Sequence, residues 1–178
     1  MKKFSLYLFA IFLSSCVQNL DLDQVNDFSL EPILNVPLVY FTITPSQFFD
    51  ANGANPQNSF SDVTNFSIFE GGFVRNNLVQ IDFNVGAKNL FDRAITITIE
   101  FLNASDQITY QLAPILVQSG DLNYIFQEVV MISDNPRMLD TSKLKVIVEL
   151  ESTGNSLESN DLSEFEFKSS ITAHLENK

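Results

Sequence analysis

The chain has 178 residues, a formal net charge of −12, one cysteine, one histidine and no tryptophan. The acidic balance argues against nucleic acid or anionic lipid headgroups as electrostatic partners. A lone cysteine excludes an intrachain disulfide, and a single histidine with no second thiol excludes a His/Cys zinc site.

At the N-terminus, Lys2 and Lys3 form a short positive region and Phe4 to Leu13 an apolar stretch. That stretch is too short to cross a hydrocarbon core, which needs about 20 residues. It runs into Leu13-Ser14-Ser15-Cys16, an aliphatic residue and two small ones before a cysteine, which matches the lipobox of bacterial lipoproteins. Small side chains suit a peptidase cleft, and the Cys16 thiol is the expected acylation site. The expected organisation is a signal peptide at 1–15, a lipidated cysteine with an acidic tether at 16–35, and one β-sandwich domain at 36–178. Cleavage would remove Lys2 and Lys3 and no acid, taking the charge from −12 to −14. Asp21, Asp23, Asp27 and Glu31 make the tether acidic. Val17, rather than an aspartate, follows the cysteine, so the inner-membrane retention signal of enteric lipoproteins is missing and the outer membrane is the expected location.

Beyond the tether, apolar residues alternate with polar ones. Val39, Phe41 and Ile43 begin the pattern, and Phe66 and Ile68 give a short segment. Val79, Ile81, Phe83 and Val85 alternate with Gln80, Asp82 and Asn84. Ile95, Ile97, Ile99 and Phe101 follow, then Ile108, Tyr110 and Leu112. Tyr124 to Ile132 is a mixed apolar run. Leu144, Val146, Val148 and Leu150 alternate again, as do Phe165, Phe167, Ile171, Ala173 and Leu175. A period of two places one face in a core and the other in water. Strands are expected at 36–43, 63–69, 73–87, 94–102, 107–112, 122–132, 143–151 and 162–176. About eight such strands predict an all-β, antiparallel two-sheet sandwich of immunoglobulin-like type.

Thr44-Pro45-Ser46-Gln47 has the spacing of a capping box with proline at the first helical position, and Asn135-Pro136 can open a second turn. Asn103–Asp106 and Lys88–Arg93 are expected hairpin loops. The long loops are Asp50–Asp62 and Ser152–Asp161. If every connection reverses direction, both lie at one end and the tether joins at the other. The Phe69–Phe73 segment is the joint on which this depends, because a bulge there would move every later loop to the opposite end.

Few residues suggest chemistry. His174 falls on the polar phase of the last strand and is expected to face solvent. Glu149, Glu151, Glu158, Asp161, Glu164 and Glu166 offer carboxylates for acid/base hydrolysis, or simply a solvated acidic face. Asp50 and Asn52, before Gly53, suggest a calcium loop but lack the acidic spacing of an EF-hand. Phe48, Phe49 and Phe60 flank the same loop, as a plug for the core or a binding patch. The candidate binding set is therefore Phe48, Phe49, Asp50, Asn52 and Phe60, with no catalytic residue, metal or cofactor expected. Two Asn-X-Ser sequons, at Asn65 and Asn103, read as chance.

The Leu-Ser-Ser-Cys lipobox, the Asp21-Leu22-Asp23-Gln24 tether, the segment from Pro32 to Phe41, and Asp82-Phe83-Asn84-Val85 through Phe101-Leu102-Asn103 resemble small cell-envelope lipoproteins of the Bacteroidota, flavobacteria above all. The resemblance implies an envelope location and a β fold, and no activity. The expected function is that of a membrane-anchored, non-enzymatic binding or accessory module. It would contact protein or glycan through loops distal to the membrane, on the periplasmic or cell-surface side. The rivals are a glycan-active hydrolase using the late carboxylates and a purely structural envelope protein.

Overall fold

The computed structural model describes residues 31–50, 56–154 and 156–176, so Met1–Ser15, Cys16, most of the tether and Asn52 lie outside the described residues. Among the described residues there are nine strands: β1 (Ile33–Ile43), β2 (Ser59–Asn65), β3 (Leu78–Asn89), β4 (Ile95–Leu102), β5 (Ile108–Gln111), β6 (Ile115–Val117), β7 (Tyr124–Met131), β8 (Lys143–Leu150) and β9 (Phe165–Leu175). One short helix, α1 (Gly72–Asn77), precedes β3, and 3-10 turns cover Pro45–Phe48, Ile68–Glu70 and Pro136–Asp140.

The strands form two antiparallel sheets, one in the order β1-β9-β3-β7 and one in the order β2-β8-β4-β5, with β6 also pairing β4. Their inward faces are the apolar phases of the alternation. Ile81, Phe83, Val85 and Ala87 of β3 and Ile95, Ile97, Ile99 and Phe101 of β4 are all buried. Phe83 and Phe101 meet across the sheets with ring centroids 5.3 Å apart. The expected two-sheet sandwich is therefore present. Its connectivity, however, is that of a jelly roll rather than an immunoglobulin domain. Successive strands cross from one sheet to the other, and only β4 with β5 and β6 pairs locally.

Other local differences have physical causes. β2 begins at Ser59 and stops at Asn65, earlier than the expected 63–69. Phe66 and Phe69 leave the sheet to cover one end of the core, stacking edge-on at 5.0 Å, with Phe66 also 5.7 Å from Phe101. The expected strand from residue 73 opens instead as α1, whose Arg75 pairs with Asp140 at 2.7 Å and also donates to the Leu139 carbonyl. Pro114, with no N–H to donate, separates β5 from β6 on the same edge of β4. β1 starts at Ile33, three residues before the expected boundary.

The turn at Pro45–Phe48 forms as expected: the Gln47 side-chain oxygen accepts the Thr44 N–H at 2.9 Å. Pro136–Asp140 likewise forms a turn. The chain reverses between β2 and β3, so loops alternate between the two ends. Register places Ile43, Phe165, Asn89 and Tyr124 at one end and Ile33, His174 and Leu78 at the other. The β1–β2 and β8–β9 loops share the first end and touch: Leu150 N–H donates to the Asn58 carbonyl at 2.7 Å, and Asn58 Nδ2 reaches Ser152 Oγ at 3.4 Å. β1 begins at the opposite end.

Lys88–Arg93 is not a hairpin but an arch between the sheets. It turns inward on Asn89, whose side chain is fully buried. Asn89 Nδ2 donates toward the carbonyls of Arg93, Val117 and Gln118 at 2.9 to 3.1 Å, and its Oδ1 accepts the Phe91 N–H at 3.0 Å. No apolar residue can satisfy these groups, and buried carbonyls without a donor cost about 1–3 kcal/mol each. Asn89→Ala is expected to destabilise the fold by about 3 kcal/mol. Equilibrium urea unfolding would check this, and a loss under about 0.5 kcal/mol, the scale of an ordinary surface substitution, would contradict it.

Candidate functional site

The two long sides of the sandwich differ. On the side of β7 and β5, Glu128 ties the sheets together. Its Oε1 accepts the Tyr110 hydroxyl at 2.5 Å and its Oε2 the Ala113 N–H at 2.9 Å. Burial, reinforced by the Glu128 hydrogen bond and charge, holds the Tyr110 phenol far above its ordinary 10.0.

On the other side run β1 and β2, each the outermost strand of its sheet, with no ladder between them. Opposed residues of an antiparallel pair share a face. Phe60, Asp62 and Thr64 of β2 oppose Val148, Val146 and Leu144 of β8, and so face inward. Two of these three inward positions are polar. The sheets do not seal, leaving a groove of about 380 Å³ floored by Leu144, Val146 and Val148.

The opposite wall is β1. A bulge between Pro37 and Val39 inserts Leu38, and both Leu38 and Val39 turn partly into the groove beside Phe41. Ser169 makes this possible. It interrupts the apolar phase of β9, and its hydroxyl accepts the Val39 N–H at 3.1 Å while donating to the Val39 carbonyl at 3.2 Å. Phe41 stacks on Phe167 at 5.0 Å, which fixes the wall. Among the described residues Asp62 is the one charged residue lining the groove, and its Oδ1 accepts the adjacent Val63 N–H at 2.9 Å.

The sequence-derived candidates divide. Phe48 is fully buried, 5.1 Å from Phe60 and 6.1 Å from Phe91, and plugs the end of the core, so it offers nothing to a surface ligand. Phe60 forms the upper end of the groove. Phe49 and Asp50 are half-buried beyond the plug, where Phe49 bridges Pro56. Asp62 and Thr64 were missed. The signal was present in Ser59-Phe60-Ser61-Asp62-Val63-Thr64, but starting the strand at Val63 inverts its phase.

Of the remaining polar candidates, Glu149 and Glu151 line one shallow hollow of about 390 Å³ with Thr96 and Gln118, and the others stand apart. His174 lies on the outer face of the first sheet, half-buried, with Nε2 2.7 Å from Asp82 Oδ2. Glu166 occupies that same outer face and pairs with Lys88 at 3.1 Å. Glu149 lies on the outer face of the second sheet, opposed to Thr96. Asp161 Oδ1 accepts the Ser163 N–H at 2.7 Å, and Glu151 Oε2 accepts the Ala94 N–H at 3.2 Å. Among the described residues no group of three or more His, Cys, Asp or Glu could hold a metal ion, and no helix is long and apolar enough to cross a membrane.

No family model and no curated protein matches the chain. Among solved structures, a Parabacteroides distasonis protein described as secreted is similar over 65% of this chain and 38% of its own, at 12% identity and a TM-score of 0.47. A VP2 subviral particle of infectious bursal disease virus is similar over 81% of this chain and 32% of its own, at 9% identity and 0.45. The Desmodium yellow mottle tymovirus covers 84% of both chains at 10% identity and 0.35. The chain thus spans about a third of the length of the first two. At these scores none carries a functional argument, and the jelly-roll assignment rests on strand order.

Two outcomes follow from the contrast between the sides. A phenol whose pKa is raised by folding stabilises the fold below its unfolded value, and that contribution fades as pH rises through the folded value. Stability is therefore expected to fall as pH rises above about 10, the ordinary phenol value, and to fall less steeply in Tyr110→Phe; equal slopes in urea unfolding would contradict the clamp. On the open side, Asp62→Ile is expected to raise the urea midpoint, by burying an apolar side chain against Val146, and to promote self-association in sedimentation. A variant both less stable and strictly monomeric would count against Asp62 facing the groove.

Proposed function

We propose that the chain is a lipid-anchored, non-enzymatic binding module of the cell envelope, tethered through Cys16 to the outer membrane, that holds a protein or glycan partner in the groove between β1 and β2 and at the adjoining end loops. The observation that carries this reading is the unsealed side: an apolar floor, two unpaired strand edges and one inward carboxylate in an otherwise well-packed sandwich. Pockets that bind partners are concave, largely apolar and furnished with few polar groups. The Phe60 end of the groove adjoins the β1–β2 loop, at the end of the sandwich opposite the start of β1. For a chain anchored at Cys16, that placement favours contact away from the membrane. The non-enzymatic reading is supported by the placement of the late carboxylates: Glu149 and Glu166 stand on opposite outer faces, and Glu151, which shares a shallow hollow with Glu149, accepts the Ala94 N–H.

Crosslinking and pull-down from intact cells would test this, comparing wild type, Thr64→Trp to fill the groove, and Cys16→Ala behind a non-lipid export signal. The expected result is one stoichiometric partner, retained by wild type and lost by both variants. A partner retained by Thr64→Trp would remove the groove from the reading. Absence of any partner would favour a structural role.

A further inference from the structure

We infer that the occupant of the groove is an extended segment of a partner protein, added as a strand along the free edge of β2, with apolar side chains at alternate positions and a lysine or arginine facing Asp62. This deepens, and rests on, the reading of the groove as the binding site.

The two walls are unequal as templates. β1 carries Pro37 and a bulge, both of which interrupt a regular ladder. β2 pairs β8 without a register shift over all seven of its residues and contains no proline. Among the described residues its outer edge has no partner strand. An added strand there would continue the second sheet across the mouth of the groove, satisfy the free backbone groups, and send every second side chain toward Val146 and the β1 wall. An oligosaccharide fits less well, because the floor is leucine and valine and the hydrogen-bonding groups, with the exposed ring of Tyr40, stand only on the walls.

Charge selects the partner. Asp62 is the one charge lining the groove, and no cation pairs with it among the described residues. A second copy of this chain fits poorly: antiparallel pairing of β2 with itself about its centre would set Asp62 against Asp62. The chain's own acidic segment containing Asp21, Asp23 and Asp27 meets the same repulsion. A segment of opposite charge gains a charge-assisted hydrogen bond instead.

The test uses the full chain carrying Cys16→Ala behind a non-lipid export signal, with fluorescent peptides of the length of β2. One peptide alternates valine and threonine around a central inward lysine. A second has glutamate at that position, and a third has proline in the strand. Binding is read by anisotropy, with Asp62→Asn as the near-isosteric variant. Binding of the lysine peptide is expected to exceed that of the glutamate peptide by about tenfold or more, to vanish for the proline peptide, and to weaken by about tenfold in Asp62→Asn and in high salt. Equal binding of all three peptides would overturn strand addition. Self-association of the wild-type chain in sedimentation would overturn it in favour of a second copy. Failure of every peptide, while Thr64→Trp still abolishes the cellular crosslink, would overturn the strand inference and leave the groove reading standing, with a soluble oligosaccharide the next probe. Failure of every peptide with the crosslink unaffected would overturn both.

Discussion

A strand sends successive side chains to opposite faces, so each strand of a two-sheet domain commits every second residue to the space between the sheets. In this chain that commitment is apolar almost everywhere. β4, β8 and β3 as far as Ala87 supply inward rows of isoleucine, valine, leucine, phenylalanine and alanine, and those rows are buried. The exceptions therefore locate the places where the sandwich has to do something other than pack. Three stand out, and each has a different consequence for the fold. Ser169 on β9 satisfies the backbone of a bulge, Glu128 on β7 ties the sheets together, and Asp62 on β2 leaves a side unsealed.

These exceptions are coupled through the strand order. β1 and β2 are successive in sequence but outermost in different sheets, so their edges flank the same opening. The bulge at Pro37–Val39 turns an additional apolar side chain toward that opening, and Ser169 offsets the lost ladder bonds at that point. Had residue 169 been a valine, the Val39 N–H and carbonyl would lack these partners. On the far side, the Glu128 carboxylate joins β7 to Tyr110 and to the Ala113 backbone. The sandwich is thus held along one side and at its phenylalanine-filled ends, and can leave the other side open without losing its core.

Most of this architecture was legible in the alternation alone. The sheet type, the strands from β3 onward apart from β6 and the helical start of the segment from 73, and the turns at Pro45 and Pro136 follow from period and punctuation. The sharing of one end by the long loops follows from counting reversals. Connectivity was not legible, because period two says which face a residue takes and nothing about which strand lies beside it. Phe66 and Phe69 misled for a related reason: an apolar pair three apart caps an end here, while Phe66 and Ile68 two apart imitate a strand. The site was half legible. Phe60 was found as an aromatic near a loop, but the three residues that close or open the sandwich are polar, and a search for apolar rows passes over them.

An inward carboxylate on a free edge also has a protective effect, since it discourages unwanted pairing between copies. That effect and the proposed binding role do not compete here, because the same charge would serve both. Repulsion between two Asp62 side chains disfavours self-pairing of β2, and attraction to a cation favours a different strand in the same place. Protection alone would leave the groove floor unexplained. An edge guarded only against aggregation can be short, bulged or covered, whereas β2 is regular over its whole length and stands beside Leu144, Val146 and Val148. A regular edge, an apolar floor and a single discriminating charge together describe a surface that refuses its own kind while remaining geometrically ready for a strand.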